Sequence, residues 1–433
     1  MSLRILMVAS GMPDPPRSGA AIRISQFAHQ LARRHQLTLL CFGGATDFET
    51  ADHMRATGIR VVLVPVPRRS RKRAGQMVSL MSSRSHLGGI FHHQALQHAL
   101  DDLVRVGRFD AILVEGSLLM RHRFPHGIPL VLDEHNLEFE ALERTASIEA
   151  SPLRRFFNSV EAEKFKREEM TAWRRADLCL FTSGREVALA RDMFPQIAAF
   201  AVANGVDLDY FRPQNSEKDP ASIVFTGTIG YRPNSDAVQY LVREIMPRIW
   251  EAHPEAVLTV VGGGVPRAIR RLAGPHVVVT GQVADVRPFV HRAAVAVAPL
   301  RIGSGTRLKV LEALAMGKPM VASTLGCEGL AVRAGEHLAI ADEPEGFARE
   351  LVSLLEDRTA AEAMGARGRA LVERSYGWRA LTLEMEYAVE SAVAVHEAAE
   401  RRLSGQTPTS LEDLSTAVST QADSRTPAAG PML

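Results

Sequence analysis

The chain has little cysteine, no long apolar run and almost no excess charge. Its three cysteines, Cys41, Cys179 and Cys327, lie far apart, each in or beside an apolar segment. This spacing fits neither a disulfide framework nor a metal site. It favours buried thiols in a reducing compartment.

No stretch approaches the about 20 consecutive apolar residues that span a bilayer. The apolar start, Met1 to Ala9, is too short for a secretory signal peptide and continues into a loop–helix pattern. We therefore expect a cytoplasmic protein, with attachment to the inner face of the membrane left open. The net charge of +2 gives no general reason to expect nucleic acid as a partner.

The 433 residues suffice for two or three domains. Short β-branched runs alternate with helical patterns from end to end, which predicts an α/β fold with parallel sheets covered by helices on both faces. The pattern pauses at a turn-rich, polar segment near residue 210 and then restarts. Two doubly wound domains that face each other across a cleft are therefore expected, and the cleft is the expected active site.

The domain boundaries follow from these pauses. They predict an N-terminal domain over 1–203, a linker over 204–221, a C-terminal domain over 222–376, a long helix over 377–402 and a disordered tail over 403–433.

The most informative segment, Pro299 to Ser323, reads PLRIGSGTRLKVLEALAMGKPMVAS. A strand pattern ends at the turn Gly303–Thr306, and a helix pattern follows with Arg307 and Lys309 in its first turn. Small residues let backbone amides approach an anion, and a helix N-terminus carries partial positive charge, so the segment is suited to a diphosphate. Glu312 is then placed to hold sugar hydroxyls. The alternative is a tightly packed turn followed by a helical Lys309–Glu312 ion pair.

Two N-terminal segments also follow predicted strands. The loop PDPPRSGAAIR includes Gly19, whose amides either face the same phosphates or form a simple turn. The predicted strand that begins at Leu130 leads directly into Asp133, Glu134, His135 and Asn136, which suggest either a site or a helix cap by Asn136.

Two further patterns have simple alternatives. The basic run Arg68–Arg73 is either a solvated loop or a docking site for anionic lipid. Asp207-Leu208-Asp209 mimics an Asp-x-Asp metal motif, but it lies in the linker, and we expect no essential metal.

Four ordered segments resemble glycosyltransferase family 4, retaining enzymes of the GT-B fold that use nucleotide-sugar donors. They are Val202–Pro213 (VANGVDLDYFRP), Phe225–Val238 (FTGTIGYRPNSDAV), Gly281–Leu300 and the Pro299–Ser323 segment. The resemblance spans roughly Arg4 to Arg379, and the GSGTRLK wording is similar to a subgroup associated with exopolysaccharide assembly.

The resemblance implies specific roles. Glu312 matches the glutamate that holds the ribose, and His135 matches a histidine that faces the reacting sugar, with Glu134 as an alternate acceptor of the hydroxyl proton. The implied donor-binding residues are Gly19, Gly227, Arg232, Gly303, Ser304, Gly305, Thr306, Arg307 and Lys309.

The chain departs from the family at three positions. Ser304 replaces a glutamate that contacts the transferred sugar, which puts the identity of that sugar in doubt. Thr228 and Pro233 replace an Arg and a Lys at the diphosphate, so Arg307 and Lys309, with Arg232 in reserve, would supply that charge.

These residues predict a retaining glycosyltransferase that moves a sugar from a UDP- or GDP-sugar to a glycan or lipid-linked acceptor, without a cofactor. The alternatives are a nucleotide-sugar epimerase or hydrolase of similar shape, or a sugar-nucleotide-binding subunit without catalysis.

Overall fold

Two parallel sheets organise the chain. The computed structural model describes residues 2–16, 18–66, 79, 82–214, 219–305 and 307–403. Thr306, the basic run Arg68–Arg73 and the tail beyond residue 403 lie outside the described residues, so the predictions made for them stay predictions.

The first sheet has seven strands in the order β3-β2-β1-β4-β5-β6-β7. Its strands are β1 (Arg4–Ala9), β2 (Gln36–Gly43), β3 (Arg60–Pro65), β4 (Ala111–Glu115), β5 (Leu130–Asp133), β6 (Leu178–Phe181) and β7 (Ala199–Ala201). Its helices are α1 (Gly19–Leu31), α2 (Phe48–Ala56), α3 (His86–Phe91), α4 (Gln94–Val106), α5 (Glu138–Ser147), α6 (Pro152–Arg175) and α7 (Gly184–Met193).

The second sheet has six strands in the order β10-β9-β8-β11-β12-β13. Its strands are β8 (Ser222–Thr226), β9 (Val257–Val261), β10 (Val277–Gly281), β11 (Val295–Ala298), β12 (Met320–Ala322) and β13 (Ala339–Ile340). Its helices are α8 (Arg232–Tyr240), α9 (Met246–Ala252), α10 (Arg267–Arg270), α11 (Arg287–Arg292), α12 (Leu308–Ala315), α13 (Pro344–Glu356) and α14 (Arg358–Ser375).

The last helix, α15 (Trp378–Leu403), returns to the first sheet. Its buried face, which includes Leu381 and Met385, belongs to the same apolar core as β1 and α1. The Trp378 ring packs edge-on against Phe27 with 5.4 Å between ring centroids. The chain therefore crosses between the two sheets twice. The two crossing segments are hydrogen-bonded to each other, because the Val206 amide donates to the Tyr376 carbonyl at 2.8 Å.

The predicted α/β architecture is confirmed, because both sheets are parallel throughout and each carries helices. Two details differ from the sequence pattern. The charged stretch Glu138–Arg175 forms two helices, α5 and α6, and Pro152 starts the second one, as proline favours the first helical turn. The edge strands β7 and β13 were missed because they have only three and two residues.

Gly262 ties together the loops that follow β8 and β9. It has φ 143°, and a Cβ added there would lie 1.8 Å from the carbonyl oxygen of Gly227. An L-residue at this φ would be strained, and its Cβ would clash with the Gly227 carbonyl. Alanine therefore cannot be accommodated without moving the Gly227 loop.

We predict that Gly262→Ala lowers the free energy of unfolding by about 2 kcal/mol or more, measured by urea denaturation. Gly274→Ala is the control, since no atom lies within 4 Å of a Cβ added there. Equal unfolding midpoints for the two variants would contradict this account of the loop.

Candidate functional site

The loop between β11 and α12 lies at the carboxyl edge of the second sheet. Gly303 and Gly305 have φ values of 109° and 76°, which favour glycine. A Cβ added at Gly305 would lie 2.9 Å from the carbonyl oxygen of His135, a residue of the first domain. Arg307 is the N-cap residue of α12, and no side chain caps that helix. The two domains thus meet at this loop.

Arg307 is buried beside the start of α12, with 9% of its surface exposed. One guanidinium nitrogen, Nη1, donates to the carbonyl oxygen of Ser304. Nε and Nη2 have no hydrogen-bond partner among the described residues. Burial lowers the pKa of this guanidinium. A buried cation with two free donors is a binding group for an anion.

Lys309 lies in the first turn of the same helix. Its Nζ donates to Oδ1 of Asn234 at 2.6 Å and lies 4.0 Å from the ring centroid of Phe225. Burial, followed by the nearby Arg307 charge, lowers the pKa of Lys309 to about 7. A Cβ added at Gly227 would lie 2.9 Å from this Nζ, so Gly227 keeps room for the ammonium group.

Glu312 lies beside Lys309 in a small pocket. The lining comes from the linker, β8, α11, β11, α12 and β12, and it comprises Phe211, Val224, Thr226, Val286, Val290, Ala296, Val297, Lys309, Glu312, Ala313, Met316 and Met320. Burial raises the pKa of Glu312 to about 7, and the Lys309 charge opposes that shift. Among the described residues no ion pair joins Lys309 to Glu312. The two side chains share one face, as the helical spacing predicted.

His135 stands on the opposite wall, just after β5. Its Nε2 lies 2.8 Å from Oε2 of Glu115 and 3.6 Å from Oδ2 of Asp133. Burial alone would lower the pKa of His135, but hydrogen bonds and charges from Asp133 and Glu115 raise it to about 9. The imidazole is therefore protonated at neutral pH.

Asp133 is held in turn by Arg23 of α1. Both side chains are fully buried, and the guanidinium forms two bonds of 2.7 Å to the two carboxylate oxygens. Arg23 also donates to the side chain of Asn204 in the linker. Burial alone would raise the pKa of Asp133, but the Arg23 charge outweighs it and holds that pKa well below its usual range.

Glu115, Asp133 and His135 bring ligand-type atoms within 4.8 Å of one another, the spacing of a metal site. Because Arg23 occupies both oxygens of Asp133, the cluster already contains a cation. The geometry favours holding an imidazolium over binding a metal ion.

Glu134 and Asn136 point elsewhere. Glu134 is buried, accepts a bond from the Ser117 amide at 3.1 Å, and has its pKa raised to about 8 by burial. Asn136 donates to Glu138 and does not cap α5. Glu169 of α6 performs that role by accepting from the Glu138 and Phe139 amides.

The two walls are in direct contact. Ser304 is buried, and its hydroxyl donates to the carbonyl oxygen of Leu137 at 2.9 Å. A Cβ added at Gly19 would lie 3.5 Å from Cδ1 of Leu308. The N-termini of α1 and α12 therefore lie side by side.

A second set of contacts reinforces this closure. Arg144 of α5 forms a two-bond ion pair with Glu328, at 2.7 and 2.8 Å, and also donates to the Gly303 carbonyl. Arg185 pairs with Glu140 beside it. By contrast, Arg232 is paired with Glu149 at 2.5 Å, so its charge is already engaged.

The sequence reasoning missed several residues that hold the site together. The sequence contains a local signal for two of them. Arg23 lies in the first loop–helix motif, and Glu115 ends a buried strand. Phe225 and Asn234 lie in the quoted segment Phe225–Val238, but nothing local pairs them with Lys309. The Arg144–Glu328 pair had no local signal, since the partners are distant in the chain.

Two family models match the chain. One, described as "Glycosyl transferase 4-like domain", matches residues 18–205, and the other, "Glycosyl transferases group 1", matches residues 220–357. The phosphatidyl-myo-inositol mannosyltransferase of Mycobacterium tuberculosis is 30% identical over 195 residues, which are 42% of this chain and 50% of the relative. A Corynebacterium glutamicum relative, named a GDP-mannose-dependent monoacylated alpha-(1-6)-phosphatidylinositol monomannoside mannosyltransferase, is 30% identical over 40% of this chain and 51% of its own length. The chain thus spans about half the length of the curated relatives it matches.

Solved structures show the same fold. Sucrose-phosphate synthase from Thermosynechococcus elongatus superposes with a TM-score of 0.70 at 18% identity, over 91% of this chain and 100% of the other. Anabaena HepE in complex with UDP-glucose gives 0.64 at 12% identity, over 90% and 100%.

Within the described part of the chain, every helix is too short or too polar to cross a bilayer. The two matched domains lie on either side of the linker, and each supplies one wall of the site. The chain belongs to the GT-B glycosyltransferases of family 4 type.

Proposed function

We propose that the protein is a retaining glycosyltransferase that transfers a sugar from a nucleoside diphosphate sugar to a glycan or lipid-linked acceptor in cell-surface polysaccharide synthesis. The observation that carries this proposal is the guanidinium of Arg307, buried beside the N-terminus of α12, because its Nε and Nη2 have no hydrogen-bond partner among the described residues. An anion is what this group lacks.

The diphosphate is the anion that fits. Arg307 and Lys309 supply two cationic groups, and the N-termini of α1 and α12 add partial positive charge. Glu312, deeper in the adjoining pocket, is within the reach of a ribose held by that diphosphate, and its carboxylate accepts bonds from hydroxyls. This division of labour needs no metal ion.

In the reaction, the bond between the anomeric carbon and the β-phosphate oxygen breaks. The acceptor hydroxyl oxygen forms the new bond on the same face of the sugar, and its proton passes to the departing phosphate oxygen. His135, held as an imidazolium by Glu115 and Asp133, orients the sugar by hydrogen bonding. Glu134 is too enclosed to receive the proton without movement of the Ser117 loop.

The choice of nucleotide has two supported candidates. The Corynebacterium relative is named for its dependence on GDP-mannose, and HepE was solved with UDP-glucose. The mycobacterial and corynebacterial relatives are named for phosphatidylinositol-linked acceptors. These names support an acceptor linked to a phospholipid, and we propose that the protein meets it at the inner, cytoplasmic face of the membrane.

We expect a UDP- or GDP-sugar at 100 times its Kd to raise the free energy of unfolding by about 2.7 kcal/mol. Glu312→Ala should bind that donor at least about tenfold more weakly, since it removes a charged hydrogen-bond acceptor. Thermal shift with both nucleotide series measures the effect, and Glu345→Ala on α13 is the control. Equal binding by Glu312→Ala and wild type with every donor would refute the ribose assignment.

Donor affinity should decline as pH rises above about 7. Lys309 has a pKa of about 7 in the free protein, and a bound diphosphate raises it, so binding takes up a proton above that pH. Glu312 titrates in the same range. The experiment therefore measures UDP affinity by calorimetry from pH 6 to about 9, for wild type and for Lys309→Met. The contribution of Lys309 is the difference between the two pH profiles. Parallel pH profiles would show that Lys309 does not contact the phosphate.

His135 should titrate near pH 9 in a histidine proton NMR experiment, with its signal assigned from its loss in His135→Gln. Because the folded-state pKa is raised, the stabilising contribution is complete below about pH 6.5 and is lost as pH rises through about 9. Glu115→Gln should lower this pKa, because it removes one of the two carboxylates that hold the proton. A pKa unchanged in Glu115→Gln would mean that Glu115 does not position the ring.

A further inference from the structure

Helix α6 exposes an apolar stripe at its N-terminal end. Leu153 and Phe156 are 76% and 61% exposed, and Phe157 and Val160 continue the same face while half-buried. These residues stand at positions i, i+3, i+4 and i+7, the spacing of a helix face that covers an apolar surface. Ile148, just before the helix, is also exposed. Such a cluster indicates a surface that another body covers.

The polar residues of this end are cationic. Arg154 and Arg155 are exposed between the two apolar residues, and the sequence from Ala150 to Val160 contains no acidic residue. The acid beside it, Glu149, is paired with Arg232 across the cleft. We call Leu153, Arg154, Arg155 and Phe156 the α6 tip, and its net charge is positive.

The α6 tip stands at the mouth of the interdomain cleft. Helix α5 starts next to Leu137, whose carbonyl receives the Ser304 hydroxyl, and it ends next to Ile148. Its ten residues span about 15 Å. The Glu149–Arg232 pair then joins the two domains beside the α6 tip. A surface that contacts the α6 tip is therefore one helix length from the candidate sugar site.

We infer that the α6 tip inserts into an anionic phospholipid bilayer and so presents the cleft to an acceptor anchored in the same membrane. This inference rests on the proposed function for the identity of the acceptor, but not for the contact itself. Exposed apolar side chains interleaved with arginines are the composition of a helix end that enters the headgroup region. The apolar residues supply burial, and the arginines select lipid of negative charge.

Other occupants fit less well. The basic run Arg68–Arg73 has the same sign of charge as the α6 tip and would be repelled by it. Exposure of apolar side chains alone does not mark a membrane-binding surface. Leu383 and Tyr387 of α15 are also exposed, but the exposed residues Glu384 and Glu390 flank them in sequence, and an anionic membrane would repel that face.

The test is sedimentation of the full chain with phosphatidylcholine vesicles, with and without phosphatidylglycerol. Wild type should bind the anionic vesicles, more weakly as salt is raised. Leu153→Ser with Phe156→Ser should reduce the partition coefficient about tenfold or more, and Arg154→Glu should do so on anionic vesicles only. Leu383→Ser, which removes an equally large apolar side chain from the acidic surface, should bind like wild type.

The inference would be overturned if wild type failed to bind anionic vesicles. It would also be overturned if the Leu153→Ser, Phe156→Ser variant bound as well as wild type, since another basic segment would then account for docking. Gel filtration that shows a dimer in wild type and a monomer in this variant would assign the face to a second copy instead. Hydrolysis of the nucleotide sugar in membrane-free solution should be equal in wild type and variant. Vesicle binding without any sugar transfer would leave the contact standing and reject the proposed function.

Discussion

A buried guanidinium with one acceptor among the described residues is the constraint on which the site depends. Arg307 has lost most of its hydration, yet within the described part of the chain only the Ser304 carbonyl accepts a bond from it. An incompletely paired buried charge destabilises a protein by several kcal/mol unless a counter-ion arrives. The fold tolerates this at the junction of two domains, where each wall is stabilised by its own core. A ligand of two negative charges would remove the penalty, and its binding would thereby stabilise the closed arrangement.

The first-domain wall of the site has the opposite imbalance, an excess of buried negative charge. Glu115 and Asp133 end up buried side by side at the carboxyl edge of the first sheet. Arg23 and the His135 imidazolium supply the positive charge that this cluster requires. Because Arg23 also bonds to Asn204, the same ion pair connects the wall to the linker between the domains. A single buried network thus fixes the His135 ring and the start of the interdomain crossing.

The sequence predicted the fold well because its signals are local. Each buried strand is a short apolar run, and most loops at the carboxyl edge contain glycine or proline, although the loop after β5 does not. It also placed Lys309 and Glu312 on one helix face from spacing alone. What it could not predict depends on contacts across the chain: the Ser304–Leu137 bond, the engagement of Arg232 by Glu149, and the return of α15 to the first domain. No periodicity within a segment encodes such partners.

Ser304 shows why the departure from the family pattern changes the site and not only its charge. In place of a carboxylate directed at a sugar, its short hydroxyl reaches the Leu137 carbonyl of the other domain. A glutamate at this position would place an ionised group against that carbonyl oxygen, which is electrostatically unfavourable. The serine therefore permits the two loops to approach more closely.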